Sequence, residues 1–94
     1  MDHLTEDAQT LLRAAREIHA ERHGSQMFTL GTHLPLEAAG RRTGINPERL
    51  RYHDAIEELE YEGAIEWPAS SRYARGSKKY AITQRGLEML RGPG

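Results

Sequence analysis

The sequence lacks cysteine and long apolar runs. Its 94 residues include no cysteine, which excludes disulfide bonds and thiolate metal sites and agrees with a reducing compartment. No apolar stretch approaches the roughly 20 residues that a membrane-spanning helix needs. The first residues, MDHLTEDAQ, are acidic and polar, so they do not resemble a signal peptide. We therefore expect a cytoplasmic protein without a membrane segment.

Motifs for catalysis and cofactor binding are also lacking. The sequence has no glycine-rich phosphate loop, no GxSxG nucleophile elbow and no cysteine nucleophile. Paired carboxylates are plentiful between residues 57 and 62. Their density on one expected helix is typical of a solvated acidic face, whereas catalytic carboxylates need a cleft that shifts their pKa. We expect no enzymatic activity and no cofactor.

Two histidines four residues apart, His19 and His23, have the spacing at which one helix face can chelate a metal ion. The stretch HAERH differs from the HExxH pattern because its glutamate is third rather than second. His33 would have to join them, with Glu21 or Asp54 as an oxygen donor. Histidine at the C-terminal end of a helix already suits the helix dipole when protonated. We expect two exposed histidines at a helix end and no metal site.

Charge is distributed unevenly along the chain, although the net charge is only −1. Residues 34–53 carry a net charge of +2, residues 54–66 carry −6, and residues 68–79 carry +4 with no acid among them. The low total disfavours indiscriminate binding to polyanions. The polarisation nevertheless permits one cationic face on an otherwise acidic molecule.

Apolar spacing predicts three helices in the first two thirds of the chain. The first covers residues 5–24, with Thr5 as its N-cap and a glycine at its end. The second covers residues 35–44 and also ends at a glycine, which accepts a left-handed backbone. The third covers residues 47–62, with Asn46 as its cap and proline at its first position. Its apolar stripe comprises Tyr52, Ala55, Ile56 and Leu59.

Shorter apolar runs predict a small sheet beside the helices. These runs lie at residues 27–30, 64–67 and 79–83. Residues 31–33 are expected to form a loop, and residues 68–77, with proline, glycine and three serines, a hairpin loop. Tyr80 and Ile82 should point inward from the last strand. Thr83 should cap a final short helix.

The resulting order of helix, strand, helix, helix, strand, loop, strand and helix resembles a winged helix-turn-helix domain. The similarity is to small prokaryotic transcriptional regulators. LEAAGRRTGI resembles that family's second helix and turn, IEELEYEGAIEW the end of the recognition helix and the first wing strand, and YAITQRGLEML the second wing strand and closing helix. The resemblance covers about residues 5–91. It implies a mainly helical α+β fold in one domain, residues 1–94.

The resemblance also implies a function, sequence-specific binding of double-stranded DNA by a transcriptional regulator. In this family the third helix enters the major groove with its N-terminal half, while a basic wing contacts the backbone or the minor groove. Arginine and lysine reach phosphates, and arginine also hydrogen-bonds guanine. The implied DNA contacts are Arg41, Arg42, Asn46, Arg49, Arg51 and His53 around the turn, and Arg72, Tyr73, Arg75, Lys78 and Lys79 in the wing.

The third helix departs from the family pattern, because it is longer by roughly half a turn. On an ideal helix Leu50 then falls almost opposite Tyr52, Ile56 and Leu59. Either the first turn is irregular and Leu50 packs on the second helix, or Leu50 lies on the outer face. The sequence leaves both alternatives open.

Two other functions compete with DNA binding. A winged-helix module can instead bind protein, and the acids of residues 54–66 favour this because they would repel DNA on the wing side. A regulator that senses a ligand or metal through His19 and His23 is a third hypothesis. A homodimer would fit a DNA-binding regulator, since many such proteins read two half-sites with paired modules. The first helix would then supply the interface.

Overall fold

The computed structural model describes residues 4–24, 28, 30–66 and 80–91. Within these ranges the chain forms four helices and a three-stranded antiparallel sheet, so the fold is α+β and mainly helical. Along the chain the elements are α1 (Glu6–His23), β1 (His33–Leu34), α2 (Leu36–Thr43), α3 (Leu50–Tyr61), β2 (Ile65–Glu66), β3 (Tyr80–Ile82) and α4 (Gln84–Arg91). None of the helices described here is long and apolar enough to cross a membrane.

The longest helix, α1, begins and ends where the sequence predicts. The Thr5 hydroxyl oxygen accepts a hydrogen bond from the backbone N–H of Ala8 at 3.4 Å, so Thr5 is the N-cap. Gly24 ends the helix with φ of 64°. The buried face of α1 comprises Ala8, Leu11, Leu12, Ala14, Ala15, Ile18 and His19.

A tight turn over residues 44–49 joins α2 to α3. Gly44 has φ of 83°, a left-handed conformation that favours glycine, and its N–H donates to the Gly40 carbonyl. The N–H of Ile45 donates to the same carbonyl at 2.8 Å. Ile45 is buried and ties the turn to the core.

The start of α3 differs from the prediction. The helix begins at Leu50 with Arg49 as its N-cap, three residues later than expected. Asn46 is not the cap, because its side-chain oxygen accepts a hydrogen bond from the Glu48 N–H at 2.8 Å. The Asn46 carbonyl also accepts from the Arg49 N–H at 3.0 Å. Asparagine and Pro47 therefore close a separate turn ahead of the helix.

The core lies between α1, the α2–α3 pair and the inner face of the sheet. α1 packs against both α2 and α3. The predicted stripe of α3 is confirmed, since all four of its residues are buried. The largest fully enclosed side chains are Leu11, Leu12, Ile45, Leu59 and Ile82.

The sheet has the order β1-β3-β2. His33 pairs with Ala81, and Ile65 pairs with Ile82. The predicted inward positions in β3 are confirmed, since Tyr80 and Ile82 are buried.

The first strand was expected at residues 27–30, and this prediction is wrong. The strand is His33–Leu34, at the end of the expected loop. Phe28 and Leu30, the described members of the predicted run, are not in a strand. Leu34 supplies the buried apolar side chain that pairs across from Tyr80.

The closing helix α4 is capped as predicted. The Thr83 hydroxyl oxygen accepts a hydrogen bond from the Gly86 N–H at 3.0 Å, and the same hydroxyl donates to the Gly63 carbonyl. Met89 is buried, and Leu87 and Leu90 pack at the edge of the core. The cap therefore ties α4 to the end of α3.

The contact between α2 and α3 depends on the absence of a side chain at Gly40. A Cβ added there would lie 2.5 Å from the Ile45 carbonyl oxygen and 3.1 Å from the Tyr52 ring. The first distance is to backbone, which cannot move aside as a flexible side chain can. Any larger residue must push the turn or the helix outward.

We predict that Gly40→Ala lowers the free energy of unfolding by about 1–3 kcal/mol, the usual cost of overpacking. Urea denaturation followed by circular dichroism measures the change. Ala20→Ser at an exposed position of α1 is the control and should cost no more than about 0.5 kcal/mol. Equal stability of Gly40→Ala and the wild type would contradict the close approach.

Candidate functional site

Two of the predicted DNA contacts, Arg42 and Arg51, are held by acids of α1. The guanidinium of Arg42, in the last turn of α2, donates to both oxygens of Glu21 at 2.6 and 2.7 Å. Arg51, in the first turn of α3, donates in the same two-pronged manner to Asp7 at 2.6 and 2.8 Å. These hydrogen bonds hold the pKa values of the Glu21 and Asp7 carboxyls below their ordinary values.

A second contact fixes the rotation of α3 against α1. The Glu58 carboxylate accepts hydrogen bonds from the Thr5 N–H and the Thr5 hydroxyl, both at 2.6 Å. Glu58 lies two turns after Arg51 and therefore on the same flank of α3. Arg51 and Glu58, at the two ends of this flank, thus both bind the beginning of α1. The Arg51 side chain is therefore directed toward α1.

The remaining predicted residues at the turn are Arg41, Asn46, Arg49 and His53, all exposed. Arg41 lies 3.9 Å from Glu37, a long contact within one helix. The Arg49 side chain makes no hydrogen bond or ion pair within the described ranges. Arg41 and Asn46 line an open depression of about 370 Å³ together with Gly44, Pro47 and Glu48.

The outer face of α3 is not cationic. Leu50 is 73% exposed and Tyr61 is 88% exposed, and at helical spacing Asp54 and Glu57 lie between them. Of the two alternatives for Leu50, the structure selects the outer face. One part of the other alternative also holds: the chain is irregular just before Leu50, where the residues form a turn rather than helix.

The predicted wing residues Arg72, Tyr73, Arg75, Lys78 and Lys79 lie outside the described residues, as does the expected hairpin loop at residues 68–77. The strands on either side of this segment are described. Glu66 pairs with Ala81, so the chain leaves and re-enters the sheet at neighbouring positions.

Sequence reasoning missed a groove formed where α2, α3 and β3 meet. It has a volume of about 310 Å³. It is lined by Glu37, Pro47, Tyr52, His53, Ile56, Glu57, Glu60 and Tyr80. The only sequence signal is the four-residue spacing of Tyr52, Ile56 and Glu60, which places them on one stripe of α3.

The pKa values of both tyrosines in this groove are raised, which favours the neutral phenol. Burial, followed by the charge of Glu37, raises the pKa of Tyr52 to about 12. Burial, followed by the charge of Glu60 and a hydrogen bond to it, raises the pKa of Tyr80. The groove therefore places two phenol groups beside the carboxyl groups of three glutamates.

The expectation for the histidine pair is wrong for His19, which is 9% exposed. Its ring centroid lies 4.4 Å from that of His23 and 5.1 Å from that of Phe28, which meets it edge-on. His19 is buried because it continues the apolar face of α1 after Ile18. No group of three histidine, cysteine, aspartate or glutamate residues in the described part could hold a metal ion.

The site therefore offers two chemistries. Guanidinium and amide groups at the turn can donate hydrogen bonds to anionic oxygens, and the groove beside α3 can accept them from a cation. Comparison of the chain with protein-family models, with curated proteins and with solved structures found no match.

We predict that stability falls as the pH drops from 7 to 5, because of His19. Burial, and secondly the charge of His23, lowers the pKa of His19 below its usual value of 6.5. The unfolded chain therefore takes up a proton that the folded chain resists, and stability is lost as the pH falls below about 6.5. The slope from one proton is at most about 1.4 kcal/mol per pH unit.

Urea denaturation at several pH values measures this slope. His19→Gln should flatten it over pH 5–7. His33→Gln is the matched control, because His33 is exposed, and it should keep the wild-type slope. Identical slopes for His19→Gln and the wild type would show that another group is responsible.

Proposed function

We propose that the protein is a sequence-specific double-stranded DNA-binding transcriptional regulator of the winged helix-turn-helix type. In this proposal α2, the turn and α3 form the helix-turn-helix, and the segment between β2 and β3 is the wing. The compact α2–α3 contact at Gly40 and the antiparallel β2–β3 pair support this assignment. No catalytic activity and no cofactor are part of it.

The observation that carries the proposal is the set of exposed donors at the turn. Arg41, Asn46 and Arg49 lie within nine residues at one end of the α2–α3 pair, and all three are exposed. Neither arginine is held by a short ion pair within the described ranges. Phosphate oxygens and the acceptors of guanine require such donors.

The charges along α3 restrict how the helix would approach a duplex. Its outer face becomes acidic from Asp54 onward, so only the first turns would enter the major groove. There His53 offers a polar contact to a base edge, and Leu50 an apolar contact to a thymine methyl group.

Arg42 and Arg51, which acids of α1 bind, would contact DNA after exchanging those carboxylates for phosphates. The pairs of Arg42 with Glu21 and of Arg51 with Asp7 are on the surface, and exposed ion pairs add little net stability. A phosphate can therefore replace the carboxylate at small cost. The +4 charge of residues 68–79 would add contacts to the backbone on the neighbouring side.

We predict that the double substitution Arg41→Ala and Arg49→Ala weakens duplex binding at least about tenfold at low salt. Loss of two phosphate contacts should also reduce the slope of log K against log salt concentration by about 2. Fluorescence anisotropy on random duplexes and on a duplex selected from them measures both. Arg51→Ala should cost less than Arg49→Ala, because Asp7 already binds Arg51.

The matched control is Arg13→Ala with Arg16→Ala, which removes the same charge from exposed positions of α1 and should leave affinity nearly unchanged. Absence of duplex binding at low salt would overturn the proposal. So would an equal loss in the control, because binding would then follow total charge alone.

A second candidate, a protein-interaction module, is favoured by the outer face of α3. Leu50 and Tyr61, both largely exposed, are eleven residues apart, so they share one side of the helix about 16 Å apart. An aromatic and an aliphatic anchor with acids between them suit a helix-to-protein contact. The simplest partner is a second copy of the chain.

If α3 mediates self-association, sedimentation should reveal a dimer whose dissociation constant rises at least about tenfold in Leu50→Ser with Tyr61→Ser. The expected loss follows from removing both exposed anchors. Leu30→Ser is the control, because Leu30 is also exposed but lies outside α3. A monomer at all concentrations would contradict self-association through this face.

A further inference from the structure

The groove formed by α2, α3 and β3 has a chemistry that DNA binding does not use. Three carboxylates, from Glu37, Glu57 and Glu60, line it together with the side chains of Tyr52 and Tyr80. Its volume of about 310 Å³ lies at the lower end of the range for small-molecule pockets. It is large enough for an alkyl chain with a charged head.

Tyr52 supplies an observation that is independent of the acids. The residue is only 7% exposed, and within the described ranges its side chain forms no hydrogen bond. Every fully enclosed side-chain nitrogen or oxygen in the described part has a partner, so the Tyr52 hydroxyl must reach the groove surface. The Tyr52 side chain is therefore largely buried while its hydroxyl, at the groove surface, keeps its hydrogen-bonding capacity for a ligand.

Packing holds the Tyr52 ring in this position. Gly40 of α2 lies against one edge of the ring, and the ring of His53 meets it at 86° with centroids 5.5 Å apart. Because the ring is confined, its hydroxyl is presented to the groove without a rearrangement. A preorganised polar group loses little entropy when a ligand binds.

We propose that this groove binds an organic cation, a primary ammonium or guanidinium group carried on an alkyl chain. Carboxylates form strong charge-assisted hydrogen bonds with such groups, and tyrosine rings attract them through cation–π interaction. No group of three or more acidic or histidine side chains in the described part is arranged to hold a metal ion. A groove lined by carboxylates and two tyrosine rings suits a larger organic cation.

This inference does not rest on DNA binding, although His53 belongs to both surfaces, because Arg41 and Arg49, which carry the DNA proposal, do not line the groove. The test uses the free protein and no duplex. A negative result in one experiment therefore leaves the other unaffected.

The experiment is a titration of ¹⁵N-labelled protein with agmatine, which carries one guanidinium and one ammonium group, at roughly physiological ionic strength. We expect saturable chemical-shift changes at the amides of Tyr52, His53 and Glu57. Butylurea, a neutral analogue, should produce none, because attraction to the carboxylates requires positive charge.

Variants assign the binding to this groove. Glu57→Gln with Glu60→Gln should weaken agmatine binding at least about tenfold, since hydrogen bonds to charged groups are lost. Tyr52→Phe should weaken it several-fold while leaving urea stability unchanged, because the hydroxyl has no partner among the residues that the structure describes. Glu88→Gln, at an exposed position of α4, is the matched control and should bind as the wild type does.

A second arm separates two sources of the same cation. The peptide acetyl-Gly-Arg-Gly-amide replaces agmatine; tighter peptide binding identifies an arginine side chain of a polypeptide as the natural ligand, and tighter agmatine binding identifies a free amine. Absence of saturation with both probes overturns the proposal. Unchanged affinity in the Glu57 and Glu60 double variant overturns it as well.

Discussion

The arrangement of this protein depends on the close contact between Gly40 of α2 and Tyr52 of α3. A single hydrogen in place of a side chain lets the Tyr52 ring and the Ile45 carbonyl reach α2. The close approach of α2 and α3 at Gly40 sets the path of the turn that joins the two helices. The cations of this turn are therefore exposed at one end of the helix pair. The close approach also confines the Tyr52 ring, whose hydroxyl faces the groove beside α3.

Electrostatic contacts with α1 then determine which charges are available. Acids of α1 bind Arg42 and Arg51, whereas Glu58 binds the beginning of α1. The same helix thus stabilises the α2–α3 pair and withdraws two cations toward the flanks. The exposed donors stay at the turn, and the outer face of α3 is acidic and apolar. In the proposed function, DNA contact is therefore confined to the turn and the first turns of α3. The acid-lined groove lies beside those turns and binds charge of the opposite sign in our proposal.

Helix positions could be predicted well because their signals are local. Thr5, Gly24, Gly44 and Thr83 end or cap helices through contacts within a few residues. The start of α3 could not be predicted from local signals. Asn46 can either cap a helix or close its own turn, and tertiary packing determines which of the two it does. The first strand was misplaced because a two-residue strand has little pattern of its own and is defined by its pairing with β3.

The sequence by itself determined the α+β arrangement, the stripe of α3 that is buried and the clustering of cations around the turn. These follow from side-chain type at helical or alternating spacing. Only the tertiary structure decided that Leu50 faces outward, that Arg42 and Arg51 pair with α1, that His19 is buried and that Glu37 and Tyr80 join α3 in one groove. Each of these depends on residues distant in the chain, whose meeting is set by the packing of whole elements rather than by any local pattern.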